Sequence, residues 1–539
     1  MIKLKITGMT CEHCASTVKK ALETVRGVER VSVYFPQGYA QVEGKANIEE
    51  LVEAVRRAGY GAEPLQECIE IYIPKGDVYD MFIVGGGSAG FAAAIRASEL
   101  GAKVLIAENS TIGGTCLNRG CVPSKYLIGI ANTFYSLKSS PFVSVEKAQI
   151  DMRKVLEAKE ELLERLRKEK YWNVLDAYPN IEYREGRGRF LGKGKAIVGE
   201  REVSFWKALI STGSRPYVPQ IKSLDTVRYY TSDSIFNIDY VPEHLVVIGG
   251  GAIGLELSQA FSRMGSKVTV VEALPEILTG EEPELRERLK ESLKREGIEI
   301  ITGAVVDEVK QEGEIIYVKV RAGNTNRVIS GTDLLVATGR KPNTGGVGLE
   351  LVGVKTNAKG FIQTNEFMQT TNKDIYAAGD CVGKFMLVTV AAMEGGIAAE
   401  NALLGNKREV DYRHIPHAVF TDPELASVGL KEEEAIRMGY SVDVRILEFS
   451  KVPRALISFK HDGLIKTVID KETKRILGIH ILAPHSAELI HKAVLLVKYG
   501  LTLDDVIRTV DVYPTLSESI KLGAQAFVKD VSKLSCCAE

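Results

Sequence analysis

Six of the eight cysteines in this chain of 539 residues stand in three close pairs, so thiol chemistry is the first property to explain. The pairs differ in spacing and in the motifs around them, and they are Cys11 with Cys14, Cys116 with Cys121, and Cys536 with Cys537. In a reducing compartment structural disulfides are rare, and paired cysteines more often bind metals or undergo redox cycles. Three different spacings therefore predict three different thiol tasks.

Charge and hydropathy narrow the range of partners. Lys and Arg together number 69 and Asp and Glu 70, so no basic excess favours nucleic acid or an anionic membrane. We expect no cleavable leader, because MIKLKITGMT has no apolar core followed by a small-residue cleavage site, and no apolar run approaches the ~20 residues of a membrane helix. We expect a cytoplasmic protein with small-molecule partners, no nucleic acid and no membrane insertion. Cys68 and Cys381 stand alone, and buried free thiols are the expectation for both.

The first 66 residues predict a small ferredoxin-like module with the order βαββαβ. Hydrophobic periodicity places strands at 2–6, 28–34, 39–42 and 62–65, and helices at 15–25 and 48–58. On this prediction Gly8 to Cys14 form the loop before the first helix. Main-chain amides and the helix N-terminus would favour a thiolate there.

Two glycine-rich turns, GGGSAG and GGGAIG, each follow a buried strand and precede a helix. An acid ends the next strand in both cases, and Glu108 and Glu272 each lie 23 residues after the first glycine of their motif. The repeated pattern predicts two dinucleotide folds, in which the acids accept hydrogen bonds from ribose hydroxyls. The first glycine of each motif makes the tight turn, the second lets the backbone approach a pyrophosphate, and the third lets the helix pack closely. They are Gly85, Gly87 and Gly90 in the first motif and Gly249, Gly251 and Gly254 in the second.

The cysteines of GGTCLNRGCVPSK follow the first dinucleotide motif and are too far apart for a zinc Cys-x-x-Cys knuckle. Together with STGSRP at 211–216, ATGRKPN at 337–343 and YAAGD at 376–380, this segment resembles the flavin-dependent disulfide oxidoreductase family. The likeness spans nearly all of residues 78–539. It implies FAD at the first fold and a nicotinamide cofactor at the second.

The resemblance also implies roles for single residues. Cys121 would form the charge-transfer thiolate next to the flavin, and Cys116 would be the interchange thiol. Lys125 and Glu256 match the ion pair near the flavin N5, and Asp380 matches the acid at the ribityl and pyrophosphate portion. Four further positions of the shared motifs match cofactor-binding residues: Thr115, Thr212, Gly213 and Gly339. A disulfide accepts two electrons, which is what one hydride delivers.

We therefore predict an α/β protein with two Rossmann-like dinucleotide-binding domains, an α+β dimerisation domain and a ferredoxin-like metal-binding domain in front. The predicted segments are 1–66 for the metal-binding domain, 67–78 for a linker, 79–225 and 346–411 for the FAD domain, 226–345 for the NAD(P) domain, and 412–539 for the dimerisation domain with its Cys-Cys tail.

The C-terminal segment departs from the disulfide-reducing members of the family. Those members carry a proton-transferring histidine five residues before an acid, whereas this chain has Tyr513 at that position and keeps the acid as Glu518. A phenol titrates near pH ~10 and is a poor proton shuttle at neutrality. The adjacent Cys536 and Cys537 suit a soft metal ion better than a structural disulfide.

GMTCEHC resembles the heavy-metal-associated domains of soft-metal carriers, with Cys11 and Cys14 as the metal-binding thiols. Taken together, the three pairs and the C-terminal tyrosine resemble the mercury-reducing branch of the flavin family over all 539 residues. This resemblance implies that thiol-bound Hg(II) reaches the second cysteine pair from the tail pair of the partner subunit in a homodimer. Electrons would come from NADH or NADPH through FAD.

Two details of this resemblance concern residues of the second fold. Tyr229 in RYYTSDS matches a second active-site tyrosine of the mercury-reducing branch, whereas for Tyr230 we expect simple packing. Members of that branch usually use NADPH, but a carboxylate at Glu272 repels a 2'-phosphate and accepts from a free hydroxyl. We therefore expect NADH to serve at least as well as NADPH.

Two alternative functions stay open on the sequence alone. One is a disulfide reductase similar to dihydrolipoamide dehydrogenase, which Glu272 and the intact PTLSE segment favour. The other is a metal-binding or metal-sensing flavoprotein without turnover. Tyr513 and the extra cysteine pairs argue against the first, and the complete set of flavin motifs argues against the second.

Overall fold

The computed structural model describes residues 2–9, 12–35, 38–64, 78–140 and 142–533 of the chain. The chain divides into two compact units, Met1–Ile73 and Pro74–Glu539. Within the described ranges, no helix is long and apolar enough to cross a bilayer. Four cysteines whose roles are predicted above lie outside the described residues: Cys11, Cys68, Cys536 and Cys537.

The N-terminal unit has the predicted βαββαβ order. Its elements are β1 (Ile2–Thr7), α1 (Glu12–Glu23), β2 (Val28–Tyr34), β3 (Tyr39–Gly44), α2 (Ile48–Arg57) and β4 (Gly61–Pro64). The strands pair antiparallel in the order β2-β3-β1-β4. Leu4 of the sheet packs in one core with Leu22 and Leu51 of the two helices, and all three are fully buried.

Helix α1 begins earlier than predicted, and this corrects the placement of one cysteine. Cys14 lies in the first turn of the helix and not in the preceding loop. Ala15 is buried and continues the apolar face of Val18 and Leu22 by one turn towards the N-terminus. That packing extends the helix to Glu12, because burial of an apolar stripe stabilises a helix more than propensity does.

The first dinucleotide fold is a seven-stranded sheet whose core strands are parallel. Its strands are β5 (Val78–Val84), β6 (Val104–Glu108), β7 (Ile181–Glu185), β8 (Gly188–Gly192), β9 (Lys195–Val198), β10 (Arg201–Ile210) and β21 (Ile375–Ala377). They run in the order β7-β6-β5-β10-β9-β8, with β21 beside β10. Strand β5 is buried from Tyr79 to Val84, and all of its residues except Asp80 are apolar or aromatic, as is typical of a strand covered on both faces.

Helices of the first fold carry the fingerprint turn and the thiols. They are α3 (Ser88–Glu99), α4 (Gly114–Arg119), α5 (Cys121–Ser139), α6 (Met152–Arg167), α7 (Asn173–Ala177) and α10 (Val388–Leu404). A π-helical turn, Lys168–Trp172, joins α6 to α7. Helices α3 and α10 pack so closely that a Cβ at Gly395 would lie 2.1 Å from the main-chain oxygen of Ala89.

The second dinucleotide fold has a five-stranded parallel sheet in the order β12-β19-β13-β14-β15. These strands are β12 (Tyr230–Thr231), β13 (His244–Ile248), β14 (Lys267–Val271), β15 (Glu299–Ile301) and β19 (Asp333–Val336). An antiparallel sheet of β16 (Ala304–Glu312), β17 (Ile315–Ala322) and β18 (Thr325–Gly331) follows, and β11 (Ser214–Pro216) pairs with β20 (Arg340–Pro342). Its helices are α8 (Ala252–Met264) and α9 (Pro283–Arg295).

The C-terminal domain is an antiparallel sheet with helices, as expected for the α+β class. Its strands are β22 (His417–Val419), β23 (Glu424–Gly429), β24 (Val442–Glu448), β25 (Leu464–Asp470) and β26 (Ile476–Ala483), in the order β22-β23-β26-β25-β24. Its helices are α11 (Glu432–Arg437), α12 (Pro453–Ile457), α13 (Ser486–Lys498), α14 (Leu503–Arg508) and α15 (Glu518–Gln525).

Candidate active site

The carboxyl ends of β5 and β13 open onto one cavity of about 1180 Å³. Ligands of parallel α/β sheets bind at this edge of the sheet. Gly87 and Gly251, which precede α3 and α8, line the cavity, as do Cys116 and Cys121. Both fingerprint turns and the second cysteine pair therefore face one space.

The first and third glycines of each fingerprint occupy positions that exclude a side chain. A Cβ at Gly90 would lie 2.0 Å from the main-chain oxygen of Gly85, and a Cβ at Gly254 would lie 2.0 Å from that of Gly249. The first glycines have φ of 110° and 117°, which favours glycine. The two turns have the close packing that the motif predicts.

The acids after the second strands are oriented in the same way in both folds. Glu108 Oε2 accepts a hydrogen bond from the amide of Gly86 at 2.7 Å, and Glu272 Oε2 accepts one from Gly250 at 2.6 Å. A second amide, two residues after each acid, donates to the other oxygen at 2.8 and 2.7 Å. Each carboxylate is thus fixed with lone pairs left for ribose hydroxyls.

Several residues of the first fold fit FAD. Thr212 Oγ1 is buried and makes no hydrogen bond with the described residues, so it can donate to or accept from a bound cofactor. Thr115, Gly213 and Gly339 line the cavity beside it. A flavin with a polar ribityl chain would fit beside these glycines and could form a hydrogen bond with the Thr212 hydroxyl.

Asp380 also lines the cavity and is held by two neighbours. Ser214 Oγ donates to Asp380 Oδ2 at 2.5 Å, and Arg340 Nε donates to Ser214 Oγ at 2.7 Å. The preceding amide, that of Gly379, donates to the buried carboxylate of Glu394 at 2.6 Å. These contacts fix the carboxylate in the place where the sequence motif expects a flavin ligand.

The thiol pair spans the junction of two helices. Cys116 lies in α4 and Cys121 is the first residue of α5, with Gly120 between the helices; both are free thiols. A hydrogen bond from the Cys116 thiol and, to a smaller extent, the Lys125 cation lower the pKa of Cys121 to about 7 against the opposing effect of burial. The same hydrogen bond raises the pKa of Cys116. The geometry therefore places the thiolate on Cys121 and the proton on Cys116.

Lys125 and Glu256 form the predicted ion pair at 2.7 Å. Glu256 also accepts a hydrogen bond from the amide of Phe420 at 2.9 Å, and the Lys125 ammonium lies 4.3 Å from the centre of the Phe420 ring. The ion pair thus joins both dinucleotide folds and the C-terminal domain at the thiol end of the cavity.

Tyr171, which the sequence analysis did not single out, packs against the segment that leads to the thiols and is absent from the described residues that line the cavity. It lies on the π-helical turn, packs edge-on against Phe91 at 4.7 Å between ring centres, and donates to the carbonyl of Gly113 at 3.4 Å. Burial raises the pKa of its phenol, and the charges of Cys116 and Cys121 raise it further. Its hydroxyl is therefore a neutral donor close to the thiols.

Tyr229 is not among the described residues that line the cavity, and its role in the site stays a prediction. Its side chain packs against the apolar cluster that contains Leu224 and Val227. Its neighbour Tyr230 packs on a second cluster, and its hydroxyl meets that of Tyr240 at 3.2 Å. Burial of apolar rings in these two clusters explains both orientations.

Tyr513 and Glu518 lie on the C-terminal domain, apart from the described residues that line the cavity of their own chain. Tyr513 is 45% exposed, and Glu518 begins α15. Burial raises the pKa of Glu518, and the charge of Asp511 adds to this rise.

Family models match almost the whole chain. Residues 79–395 match the pyridine nucleotide-disulphide oxidoreductase model, and residues 415–524 match the dimerisation domain of that family. Residues 3–61 match the heavy-metal-associated domain.

Relatives and solved structures agree with these models. The chain is 38% identical to a mercuric reductase of Lysinibacillus sphaericus over 99% of both sequences, and 38% identical to one of Staphylococcus aureus with the same coverage. Its structure is similar to an HOCl-induced flavoprotein disulfide reductase from Escherichia coli, with a TM-score of 0.75 and 30% identity. LpdA from Mycobacterium tuberculosis gives a TM-score of 0.75 at 27% identity. Each of these two structures is covered in full by 84% of this chain.

Proposed function

This chain belongs to the mercuric reductases of the pyridine nucleotide-disulphide oxidoreductase family, and on that premise we propose that it reduces Hg(II) to Hg(0) with electrons from a nicotinamide cofactor. The overall reaction balances as Hg(II) plus NAD(P)H giving Hg(0), NAD(P)⁺ and one proton. Bound FAD would pass the two electrons from the nicotinamide towards the sulfur pair. Mercury detoxification is the physiological role that this reaction supports.

The observation that carries the proposal is the polarised thiol pair in the shared cavity. A thiolate is the form of cysteine that binds a soft cation, and Cys121 has a pKa of about 7. Cys116, at hydrogen-bond distance, supplies a second sulfur when its proton passes to a thiolate ligand that leaves Hg(II). The two sulfurs would coordinate Hg(II) while it accepts two electrons. The neutral Hg(0) atom does not bind thiolates and would dissociate.

Lys125, Glu256 and Tyr171 have supporting roles on this proposal. The Lys125 cation stabilises the thiolate, and Glu256 holds that cation in place at 2.7 Å. Tyr171 holds the segment before the thiols through the hydrogen bond from its hydroxyl to the carbonyl of Gly113. Because Hg(II) reduction needs no proton at the metal, a histidine is not required where the C-terminal segment has Tyr513.

The proposal is tested by anaerobic oxidation of NADH and NADPH by the purified flavoprotein with Hg(II) and excess small thiol. We expect reductant to be consumed only when Hg(II) is present, with elemental mercury collected as vapour. If the enzyme consumed reductant with lipoamide, a disulfide substrate, but not with Hg(II), the result would instead support the disulfide-reductase alternative.

NADH is the nicotinamide cofactor that the second fold favours. The Glu272 carboxylate is held by two amides at the ribose position, and Ala273 and Leu274, which follow it on the cavity wall, carry no positive charge. Arg286, the next cation along the chain, donates to the carbonyl of Glu281 and is absent from the described lining residues. A 2'-phosphate would meet a carboxylate and no cation there. A kcat/KM for NADPH well above that for NADH would refute this preference.

A homodimer would bring the C-terminal residues to the thiols. The dimerisation-domain match covers residues 415–524, and Val510 and Val512 beside Tyr513 are 84% and 77% exposed. Apolar side chains at this level of exposure favour burial by a second subunit. Tyr513 and Glu518 of one subunit would then flank Cys116 of the other.

The tail pair is proposed to deliver the metal to this cavity, and the N-terminal pair to collect it. Cys536 and Cys537 lie three and four residues after Lys533, the last residue that the structure describes. Replacing both by alanine should slow turnover of thiol-bound Hg(II), whereas Cys14→Ala should leave turnover of the purified enzyme nearly unchanged. The tethered N-terminal domain raises the local concentration of metal and supplies no electrons. Equal turnover in the tail variant and the wild type would refute delivery by the tail.

A further inference from the structure

The cavity wall contributed by the C-terminal domain carries a histidine that has no part in the proposed chemistry. His417 begins β22 and lines the cavity together with Ala418 and Phe420. Its Nε2 lies 2.7 Å from Oε1 of Glu281, which belongs to the second dinucleotide fold. The two residues are 136 positions apart in sequence, so this pair is a tertiary contact between two domains.

Glu281 is a fixed, largely buried hydrogen-bond acceptor. Its side chain is 10% exposed, and its second oxygen accepts a hydrogen bond from Ser427 Oγ at 3.0 Å. Burial alone would raise the pKa of this carboxyl, but the hydrogen bonds from His417 and Ser427 hold it below its usual value. Glu281 is therefore ionised, and Nε2 of His417 carries the proton that it donates.

The adjacent acid anchors the same segment to the C-terminal domain. Glu282 is 4% exposed and accepts from the ammonium of Lys466 at 2.9 Å, and Lys466 is itself 1% exposed. The Glu282 side chain also accepts from the amide of Glu432 at 2.7 Å. These contacts hold the backbone on which Glu281 stands, so the orientation of the His417 ring is set by rigid neighbours.

His417 lies where the C-terminal domain packs against the second dinucleotide fold. Strand β22 packs against α8, the helix that follows the second fingerprint turn. Glu281 lies in the loop between β14 and α9. Glu272 and Leu274, at the start of the same loop, line the cavity. With Nε2 engaged, Nδ1 of His417 makes no hydrogen bond with any residue that the structure describes.

We propose that His417 contacts the nicotinamide cofactor, with Nδ1 accepting a hydrogen bond from its carboxamide or ribose hydroxyl, and that Glu281 is the positioning residue that aims the ring. A neutral imidazole with a proton on Nε2 has an acceptor lone pair on Nδ1. The wall would thereby recognise the nicotinamide half of the cofactor, whereas Glu272 recognises the adenosine ribose. This inference rests on the proposed function only in placing NADH or NADPH at the second fold.

The test follows anaerobic reduction of the flavin by NADH in the holoenzyme without mercury, by stopped-flow absorbance. His417→Gln keeps a donor for Glu281 and loses the acceptor at Nδ1, and His417→Ala removes both. For either variant we expect the apparent Kd for NADH to rise about tenfold, the loss of one hydrogen bond, while the limiting rate changes less. Glu281→Gln should raise the Kd by about threefold, because a neutral amide orients the ring less firmly.

The chain offers a matched control at His414. Its Nε2 lies 2.9 Å from Asp411, in a histidine and carboxylate pair like that of His417, but His414 is absent from the described lining residues. His414→Ala should leave the Kd for NADH unchanged. A Kd at His417→Gln equal to that of the wild type, or an equal rise at His414→Ala, would overturn the proposal.

Two further measurements separate this inference from the proposed function. In enzyme reduced chemically beforehand, Hg(II)-dependent reoxidation should be equal in His417→Gln and the wild type, because the thiols are untouched. If Hg(II) reoxidised neither protein, mercury reduction would fail while the NADH titration still decided the role of His417. A wild-type flavin that neither NADH nor NADPH reduces would contradict both.

Discussion

The turns at Gly87 and Gly251 occupy the same place in two dinucleotide folds but differ in what covers them. A Cβ at Gly87 would lie 3.7 Å from the Cα of Gly114, and a Cβ at Gly114 would lie only 2.7 Å from the Cα of Gly87. At Gly251 a Cβ would meet no described atom within 4 Å. The first fingerprint is thus closed over by the segment that leads to the thiols, whereas the second is open to the cavity.

This difference separates a resident cofactor from an exchanging one. A covered turn suits FAD, which stays bound through many catalytic cycles, and an open turn suits a nicotinamide that enters and leaves at each cycle. Local geometry does not account for the difference, because Glu108 and Glu272 are held by equivalent amides in both folds. The same motif therefore occurs twice in the chain, and the segment that follows each copy determines how the bound cofactor is held.

The largest effect should come from the thiols that the covering segment carries. Cys121→Ser should lower mercury reduction at least about 1000-fold, as loss of an essential nucleophile does in other enzymes. It should also remove the long-wavelength absorbance of a thiolate next to the oxidised flavin. Anaerobic turnover and the visible spectrum measure the two effects.

Cys116→Ser is the matched variant for that experiment. It should lose turnover equally but keep the thiolate absorbance, because the charge resides on Cys121. If Cys116→Ser lost the absorbance and Cys121→Ser retained it, the roles of the two sulfurs would be reversed.

Alanine substitutions at the two turns test the comparison directly. Gly114 has φ of 65° and a close backbone neighbour, so Gly114→Ala should destabilise the first fold by about 2 kcal/mol or more and lower the FAD content. Gly251→Ala should fold with its full FAD and an unchanged Tm, but bind NADH less tightly because the new methyl approaches the pyrophosphate. Flavin content, thermal melts and NADH titration measure these results. Equal loss of FAD in both variants would remove the distinction between a covered and an open turn.

The two acids offer a smaller test, which concerns cofactor choice. Glu272→Gln removes the charge that repels a 2'-phosphate and should shift the ratio of kcat/KM for NADPH over NADH upward by about tenfold. Glu108→Gln makes the same change in the same local geometry and should leave that ratio unchanged. Steady-state kinetics with both cofactors decide the matter, and a shift of equal size in the two variants would contradict the assignment of the folds.

The smallest effect concerns pH. Since the pKa of Cys121 is lowered to about 7, its thiolate exists above that pH and is lost as the pH falls below it. We expect the thiolate absorbance to rise about threefold between pH 6.5 and 7.5, as one titrating group requires. Lys125→Met should move this midpoint upward, because the cation that favours the thiolate is gone. A midpoint that stays in place would show that Lys125 has no electrostatic influence on the sulfur.

Sequence patterns were sufficient to locate those site residues whose positions depend on local spacing. The two fingerprint turns, with Glu108 and Glu272, could be located because a strand, a turn and a helix place these residues within one supersecondary unit. The pairing of Lys125 with Glu256 came from a family resemblance, since nothing in their local sequences brings together residues 131 positions apart.

The residues that sequence patterns did not predict depend on irregular or distant geometry. Tyr171 reaches Gly113, in the segment before the thiols, from a π-helical turn, and a periodicity of 3.6 residues assigns a different face to that position. Tyr229 stands in a motif that suggested a match, but its packing against the cluster of Leu224 depends on tertiary contacts. His417 and Glu281 meet through the packing of two domains, which no local pattern encodes.

The contacts around Lys125 also impose an order on biosynthesis. Glu256 and Phe420, which hold the ammonium, emerge from the ribosome long after Cys116 and Cys121 have been added to the chain. A nascent polypeptide that ends before Phe420 carries both sulfurs without their finished electrostatic surroundings. The reactive thiolate is therefore a late product of translation, and a truncated fragment would have the cysteines of the enzyme without its site.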